Sequence, residues 1–565
     1  MPAIFRPPPH SRAPKLHAEA EKFFRAVWLL RPEEAAELGL REYRGKLGPN
    51  NSAAHRKQVR LLEQTLPIIE ALPPGEGDDQ TDRRAFLAYL RTALFFHRDH
   101  PRWQIDPQTH SSAAVNAIFH LLVRHADDLR AVTPDILSLL RAVPRYLAEG
   151  HACLRLPVPL WTQLARRSSD HAAVFLEQAA DQIAPLAASP ARARRLFAAA
   201  AAAFRDYAQR LQKTKTEPAG SFAVGRDNFD FLLRERLGTD ASAAELLATG
   251  HRLVASLSAE LKKEAAKFGR RPAHEILAEL RQAWQPASAN LLEEYRRVTA
   301  ETKSRLAATD LVTLPRGEKL KVVPVPDFLR EQFPTAAYSA PGPFDSDQTG
   351  IFWVNDLSAQ AATESARRAE IGQHFGLELT CAHEAYPGHH LQFIVQNRHP
   401  SRLRRMFSHA IFYEGWTLWC EKLCLEQKIY RAPQAKLIQL HDALWRAHRI
   451  LVDIGLQTGG MTPAGAIRHL MKHVGFTKAR AAADVNWYTA APTVPMSYLL
   501  GREKVTSLFA AQHRSLRDFN DWLLSHGAVP FAWFASPELE RRSMTAGARS
   551  STVSGGHRPP LQNPS

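Results

Sequence analysis

His383 and Glu384, followed across Pro387 and Gly388 by His389 and His390, place four titratable groups in the segment TCAHEAYPGHHLQ, residues 380–392. Imidazoles and carboxylates are the donors of a zinc site, and a glutamate directly after the first histidine faces the water that such an ion activates. In the ordinary zincin helix the second histidine stands at i+4 and shares a face with the first. Here that position is Pro387. At ~100° per residue, His389 would lie ~120° round a regular helix from His383, and His390 would align with His383 but stand ~10 Å along the axis. Neither pair can chelate one ion from a straight helix. Pro387 lacks an N–H and clashes with the carbonyl four residues back, so a kink or bulge is expected, with Gly388 permitting the unusual backbone. Such a turn could carry His389 round to His383 and leave His390 for a supporting partner or for substrate. The reverse assignment, with His390 as the ligand, stays open.

A third ligand is required. Glu414 stands in YEGWTLWCE, residues 413–421, where an acidic group among aromatic and aliphatic neighbours is costly to bury unless paired or metal-bound. On a second helix it would complete a His, His, Glu set with one position open for water. Glu421, two turns on along the same face, reads as a supporting carboxylate rather than a ligand.

These residues carry a resemblance. HEAYPGHHLQ at 383–392, EGWTLWCEKL at 414–423, Arg446-Ala-His-Arg449 and Asp453-Ile-Gly-Leu456 resemble the bacterial family known as domain of unknown function 885, from about Phe222 to Phe509. The resemblance implies a mainly α, metallopeptidase-like fold with the layout of the neurolysin and carboxypeptidase Taq gluzincins, in which a central channel separates two helical halves. It also implies that His383, His389 and Glu414 hold one Zn²⁺, with Glu384 as base. The chain departs from the family pattern at Gln457, where members carry His, at Trp487-Tyr488 in place of Arg-Tyr, and at Pro492-Thr493-Val494 in place of Pro-Gly-Gln. Tyr498 and Gly501, in SYLLG, are kept.

The chemistry expected of this set is hydrolysis of short peptides. Glu384 would take a proton from the attacking water and return it to the leaving amine. The developing oxyanion needs a donor besides the metal, and Tyr498 and Tyr488 are the candidates, against the plainer reading of two core tyrosines. Gln457 is expected to donate one hydrogen bond to a substrate oxygen. The run ending at Asn355 is expected to pair with an extended peptide as an edge strand does.

The elements that must position these groups can be read from pattern. Residues 16–212 carry Ala, Leu, Arg and Glu at helical spacing, broken at Leu72-Pro73-Pro74-Gly75 and at 157–159, and read as stacked helices. Leu311–Val325 and Gly350–Asn355 are β-branched and aromatic runs and read as strands of a small sheet beside the active-site helix. Helix is expected again over 361–524, and a disordered tail over 536–565. The division expected is an N-terminal helical half at 1–215 and a half with the metal site at 216–535.

With 565 residues, 45% hydrophobic and 23% charged, the chain is in the globular range, which excludes a mainly disordered or fibrous protein. Its 73 basic and 57 acidic residues leave a net charge of +16, which raises nucleic-acid binding as a rival. The basic residues are scattered over helix faces without a reader motif, so neither nucleic acid nor membrane is expected as a partner. A second rival is a metal-binding but catalytically silent peptide-binding scaffold, motivated by Gln457 and Trp487. Four cysteines, two of them a helical turn apart at 420 and 424, read as reduced thiols. The proline-broken start makes a poor secretory signal and no window resembles a membrane span, so a cytoplasmic location is expected.

Overall fold

Apolar residues at helical spacing become helices through most of the computed structural model, which describes residues 4–218, 220–325, 335–356, 358 and 361–534. The expected tail at 536–565 lies outside the described residues. Long helices over Ser52–Glu70, Gly77–Leu94, Gln108–Arg124, Leu129–Cys153, Pro159–Ile183 and Pro190–Lys213 fill the stretch read as a stack. In Leu129–Cys153, Val132, Ile136, Leu139, Val143 and Leu147 are buried at spacings of three and four, and Asp128 caps the helix by accepting from the Ala131 N–H. Six consecutive alanines at 198–203 pack as their small side chains allow: Ala200 and Ala201 are fully buried, in one core with Phe197, Phe204, Leu139 and Phe175.

Three strands form one sheet, β1 at Lys319–Pro324, β2 at Ala336–Ser339 and β3 at Thr349–Val354, in the order β1-β3-β2. The sheet corrects two expectations. The run 311–325 is strand only in its second half; Leu311 and Val312 are buried in the core but lie before the turn at Gly317. And β3 is no edge: it pairs parallel with β1 and antiparallel with β2, so its backbone is used on both sides and cannot take up a peptide. β2 is an outer strand. Its four residues, AAYS, carry no β-branched side chain, which is why pattern alone did not mark it.

All four cores among the described residues take members from both sides of position 215. Trp353 and Val325 join the core of the Leu129–Cys153 helix. Leu403, Phe407, Val529 and Trp533 pack with Phe23, Phe24 and Trp28. The largest core surrounds the helices of the histidine segment. All four cysteines are buried free thiols. Among the described residues no helix is long and apolar enough to cross a membrane.

One close crossing fixes the helix that carries Glu414 against the helix that carries Tyr498. The Ala410–Glu426 and Val494–Ala511 helices touch at Gly415 and Gly501. A Cβ on Gly501 would stand 2.2 Å from the Ile411 carbonyl oxygen and 2.6 Å from the Gly415 Cα, both backbone atoms that cannot swing aside. Gly501→Ala is therefore expected to push the helices apart and to cost about 1–3 kcal/mol or more of stability, read as a lower urea midpoint at unchanged m-value.

Candidate metal centre

The helix over Leu377–Glu384 stops at Ala385, and a new one begins at His389 and runs to Asn397. The Pro387 region breaks the helix as its chemistry requires, and Gly388 is needed there for closeness. A Cβ there would lie 1.9 Å from the His383 carbonyl oxygen and 2.3 Å from that of Ala382. The fold-back brings the His383 and His389 rings to 4.9 Å between centroids, nearly perpendicular at 86°.

Glu414, on the Ala410–Glu426 helix, meets them both. Its Oε2 is 3.6 Å from Nε2 of His383 and 3.6 Å from Nε2 of His389. One ligand atom from each of the three residues lies within 4.8 Å of the others. Glu414 is buried, and its Oε2 has no hydrogen-bond partner. A buried carboxylate oxygen facing two imidazole nitrogens beyond hydrogen-bond range is the arrangement a cation would satisfy. The donor set thus fits one Zn²⁺.

Supporting contacts orient the set. Nδ1 of His383 is 2.8 Å from Oε1 of Glu421, the carboxylate–histidine pairing that fixes an imidazole so that Nε2 faces inward. Arg446 stands behind Glu421 at 3.9 Å. Burial disfavours the His383 imidazolium, but the carboxylates of Glu414, Glu421 and Glu384 outweigh it and raise the pKa to about 10. Burial also pushes the Glu414 carboxyl up, and the two imidazoles more than reverse this, holding it well below the usual carboxylate range.

Of the two adjacent histidines, His389 joins the cluster and His390 does not. His390 is fully buried, with Nε2 at 2.7 Å from Oε2 of Glu318 and Nδ1 at 3.1 Å from the Tyr338 hydroxyl. Glu318 also accepts from the Tyr386 hydroxyl at 2.6 Å and pairs with Lys303. Burial opposes its ionisation, but the hydrogen bonds from His390, Lys303 and Tyr386 prevail and lower its pKa from 4.5 to about 2. A carboxyl depressed on folding stabilises the protein above its unfolded pKa and loses that contribution as pH falls through the folded value. Stability attributable to Glu318 should therefore decline between pH 4.5 and about 2. Thermal unfolding across that range should show a shallower acid limb in Glu318→Gln than in the parent.

Glu384 faces β2, and its Oε2 accepts from the Tyr338 N–H at 3.2 Å. Tyr498, on the Val494–Ala511 helix, lies with its hydroxyl against Glu414. Burial, and then the Glu414 carboxylate, hold that hydroxyl well above its ordinary pKa, so it stays a proton donor. Tyr488 is drawn elsewhere: its hydroxyl donates to Asp484 at 2.8 Å and accepts from Arg449 Nε at 2.9 Å. Gln457 is also committed. It is fully buried, and its amide nitrogen donates to the Tyr488 and Thr489 carbonyls at 3.0 and 3.1 Å, stitching two helices together instead of facing a substrate. Asn355 is buried at the end of β3, where its N–H donates to Thr335 O at 2.8 Å and extends the β2–β3 pairing.

Tyr338 and Glu318 carry no mark in the sequence of a part in this site. Tyr338 and Glu318 are 46 and 72 positions away from the residues they hold, and no local spacing links them.

A family described as bacterial protein of unknown function (DUF885) matches residues 32–536. The fold is similar to that of a "putative lipoprotein" of unknown function from Shewanella oneidensis, with a TM-score of 0.73 at 18% identity, covering 94% of this chain and 99% of that one. It is similar also to a "putative lipoprotein" from Colwellia psychrerythraea, with a TM-score of 0.72 at 17% identity and the same coverage of 94% and 99%. At such identity the likeness concerns the fold alone. No curated protein matches the chain.

Proposed function

Because the chain belongs to the family of bacterial proteins of unknown function DUF885, a family whose description carries no activity, we propose a function from the residues themselves: it is a zinc-dependent metallopeptidase acting on short peptides. The observation that carries this reading is the convergence of His383, His389 and Glu414, with a buried Glu414 oxygen left without a hydrogen bond.

In this reading those three side chains hold one Zn²⁺, which when bound supplies Lewis-acid polarisation and lowers the pKa of water. Glu384 accepts the proton from the attacking water and delivers it to the leaving amine, with the Tyr338 N–H holding its carboxylate in place. The Tyr498 hydroxyl donates to the oxygen on which negative charge develops. The outer edge of β2, beside Glu384, takes an extended peptide by backbone pairing, the part that composition assigned to β3. The substrate would enter along a channel between an N-terminal and a C-terminal helical half, the gluzincin layout that the sequence resembles.

The test is elemental analysis of the purified protein with mass-spectrometric profiling of a mixed peptide library, with and without chelator. About one equivalent of zinc and cleavage abolished by chelator are expected. Zinc content that does not change on mutation of His383 would overturn the metal assignment. A zinc-loaded protein that binds peptides without turnover would establish instead the silent scaffold.

A further inference from the structure

Among the described residues, a buried guanidinium near the metal centre forms no direct ion pair. Arg449, on the Ala435–Gln457 helix, is 5% exposed. Its guanidinium carbon lies 4.0 Å from the ring centre of Trp445, 4.6 Å from Tyr498, 5.4 Å from Trp487 and 5.5 Å from Tyr488. Nε donates to the Tyr488 hydroxyl, whereas the buried Nη1 has no hydrogen-bond partner. Among the described residues no carboxylate forms an ion pair with it. Asp484, the acid nearest in the network, is taken up by the Tyr488 hydroxyl at 2.8 Å and the Trp445 indole N–H at 3.1 Å.

Aromatic faces attract a guanidinium but do not neutralise it, and Asp484 acts on Arg449 only from behind the Tyr488 hydroxyl. A fork of N–H donors in an aromatic box, with one donor idle, is suited to a carboxylate that arrives with a ligand. The position of Arg449 says which carboxylate. The ring of Tyr498 lies against the guanidinium, and the hydroxyl of the same residue lies against Glu414. A single side chain thus separates the idle donor from the metal cluster. One residue of extended peptide spans about 3.3–3.6 Å, so a terminal carboxylate at Arg449 directs the preceding peptide bond past Tyr498 toward Glu414 and the cluster. Of the four rings, Trp487 is the one with substantial exposure, at 39%, and its indole is what must turn aside to admit the ligand.

We propose that Arg449 anchors the α-carboxylate of a peptide's C-terminal residue, so that the protein removes residues from peptide C-termini. This rests on the metallopeptidase reading.

The test is calorimetric titration of zinc-loaded Glu384→Gln protein, which binds without cutting, with the peptide Ala-Ala-Ala-Phe as free acid and as C-terminal amide. The free acid is expected to bind about 10- to 100-fold more tightly, the scale of a charge-assisted hydrogen-bonded pair. Adding Arg449→Gln should erase that difference and Arg449→Lys should keep part of it, with thermal unfolding confirming that each variant folds. Equal binding of acid and amide by Glu384→Gln itself, a comparison that needs no change at Arg449, would overturn the proposal. So would equal binding of an amidated peptide ending in Glu, which would assign the anchor to a side-chain carboxylate. In the parent enzyme, release of single C-terminal residues is expected, and internal cuts would overturn the anchor while leaving the peptidase reading intact. An acid preference without any cleavage by the parent would overturn the peptidase reading and, with it, C-terminal trimming, leaving Arg449 a carboxylate-binding residue only.

Discussion

Glu384→Gln is expected to keep its full complement of zinc and to lose about 10²–10⁴-fold in peptide cleavage, the range attributed to a positioned general base. The side chains that converge on Glu414 are His383 and His389, and Glu384 is outside that set of three. Glutamine keeps an oxygen for the Tyr338 N–H, so the contact at 3.2 Å with β2 can persist and the backbone around it need not shift. What disappears is a group able to take a proton. Zinc content by elemental analysis and kcat/KM on one peptide, measured on the same preparation, separate the two effects. Cleavage at the parental rate with zinc retained would remove Glu384 from the mechanism.

The second large effect distinguishes adjacent histidines. His389→Ala is expected to lower zinc affinity by well over the ~10–100-fold typical of losing an outer supporting hydrogen bond, because it deletes a nitrogen facing Glu414. His390→Ala should keep zinc near one equivalent and lose stability instead, since it removes the imidazole that bridges the buried Glu318 carboxylate and the Tyr338 hydroxyl. Glu421→Gln should fall between them, within the ~10–100-fold range, because it weakens only the orientation of His383. Competition with a chromophoric chelator gives the affinities, and urea unfolding gives the stability. Equal zinc loss from the His389 and His390 variants would contradict the division of labour between the two.

Much of the site was legible in the sequence because its main signal is local. Pro387 at the position where a second ligand would stand excludes a straight helix, and the helix does end at Glu384 and restart at His389. A carboxylate in an apolar helix demands a partner wherever the chain goes, which made Glu414 conspicuous. Glu421 two turns away could be ranked behind it from the same helix face. Other expectations failed for an equally physical reason. Gln457 and Tyr488 carry donors suited to substrate, but whether a donor is free depends on what packs above it. Here the Lys478–Ala490 helix supplies the carbonyls and the acid that occupy them. The run at 350–355 is strand-like by composition, yet whether a strand is central or outer depends on which segments flank it in space.

Local residue pattern accounts for the helical class, the break between His383 and His389, the chemical kinds of the donors and the acid that would complete them. These come from 3.6-residue periodicity, from the missing N–H of proline and from the cost of a lone buried charge, all of which act within a few residues. Packing across the fold set that His389 and not His390 faces Glu414, that Glu384 leans on β2, and that Arg449 is walled by four aromatic rings with its Nη1 left without a hydrogen bond. Those outcomes rest on contacts between positions tens of residues apart, where helix crossings as close as that of Gly415 and Gly501 fix which side chains meet.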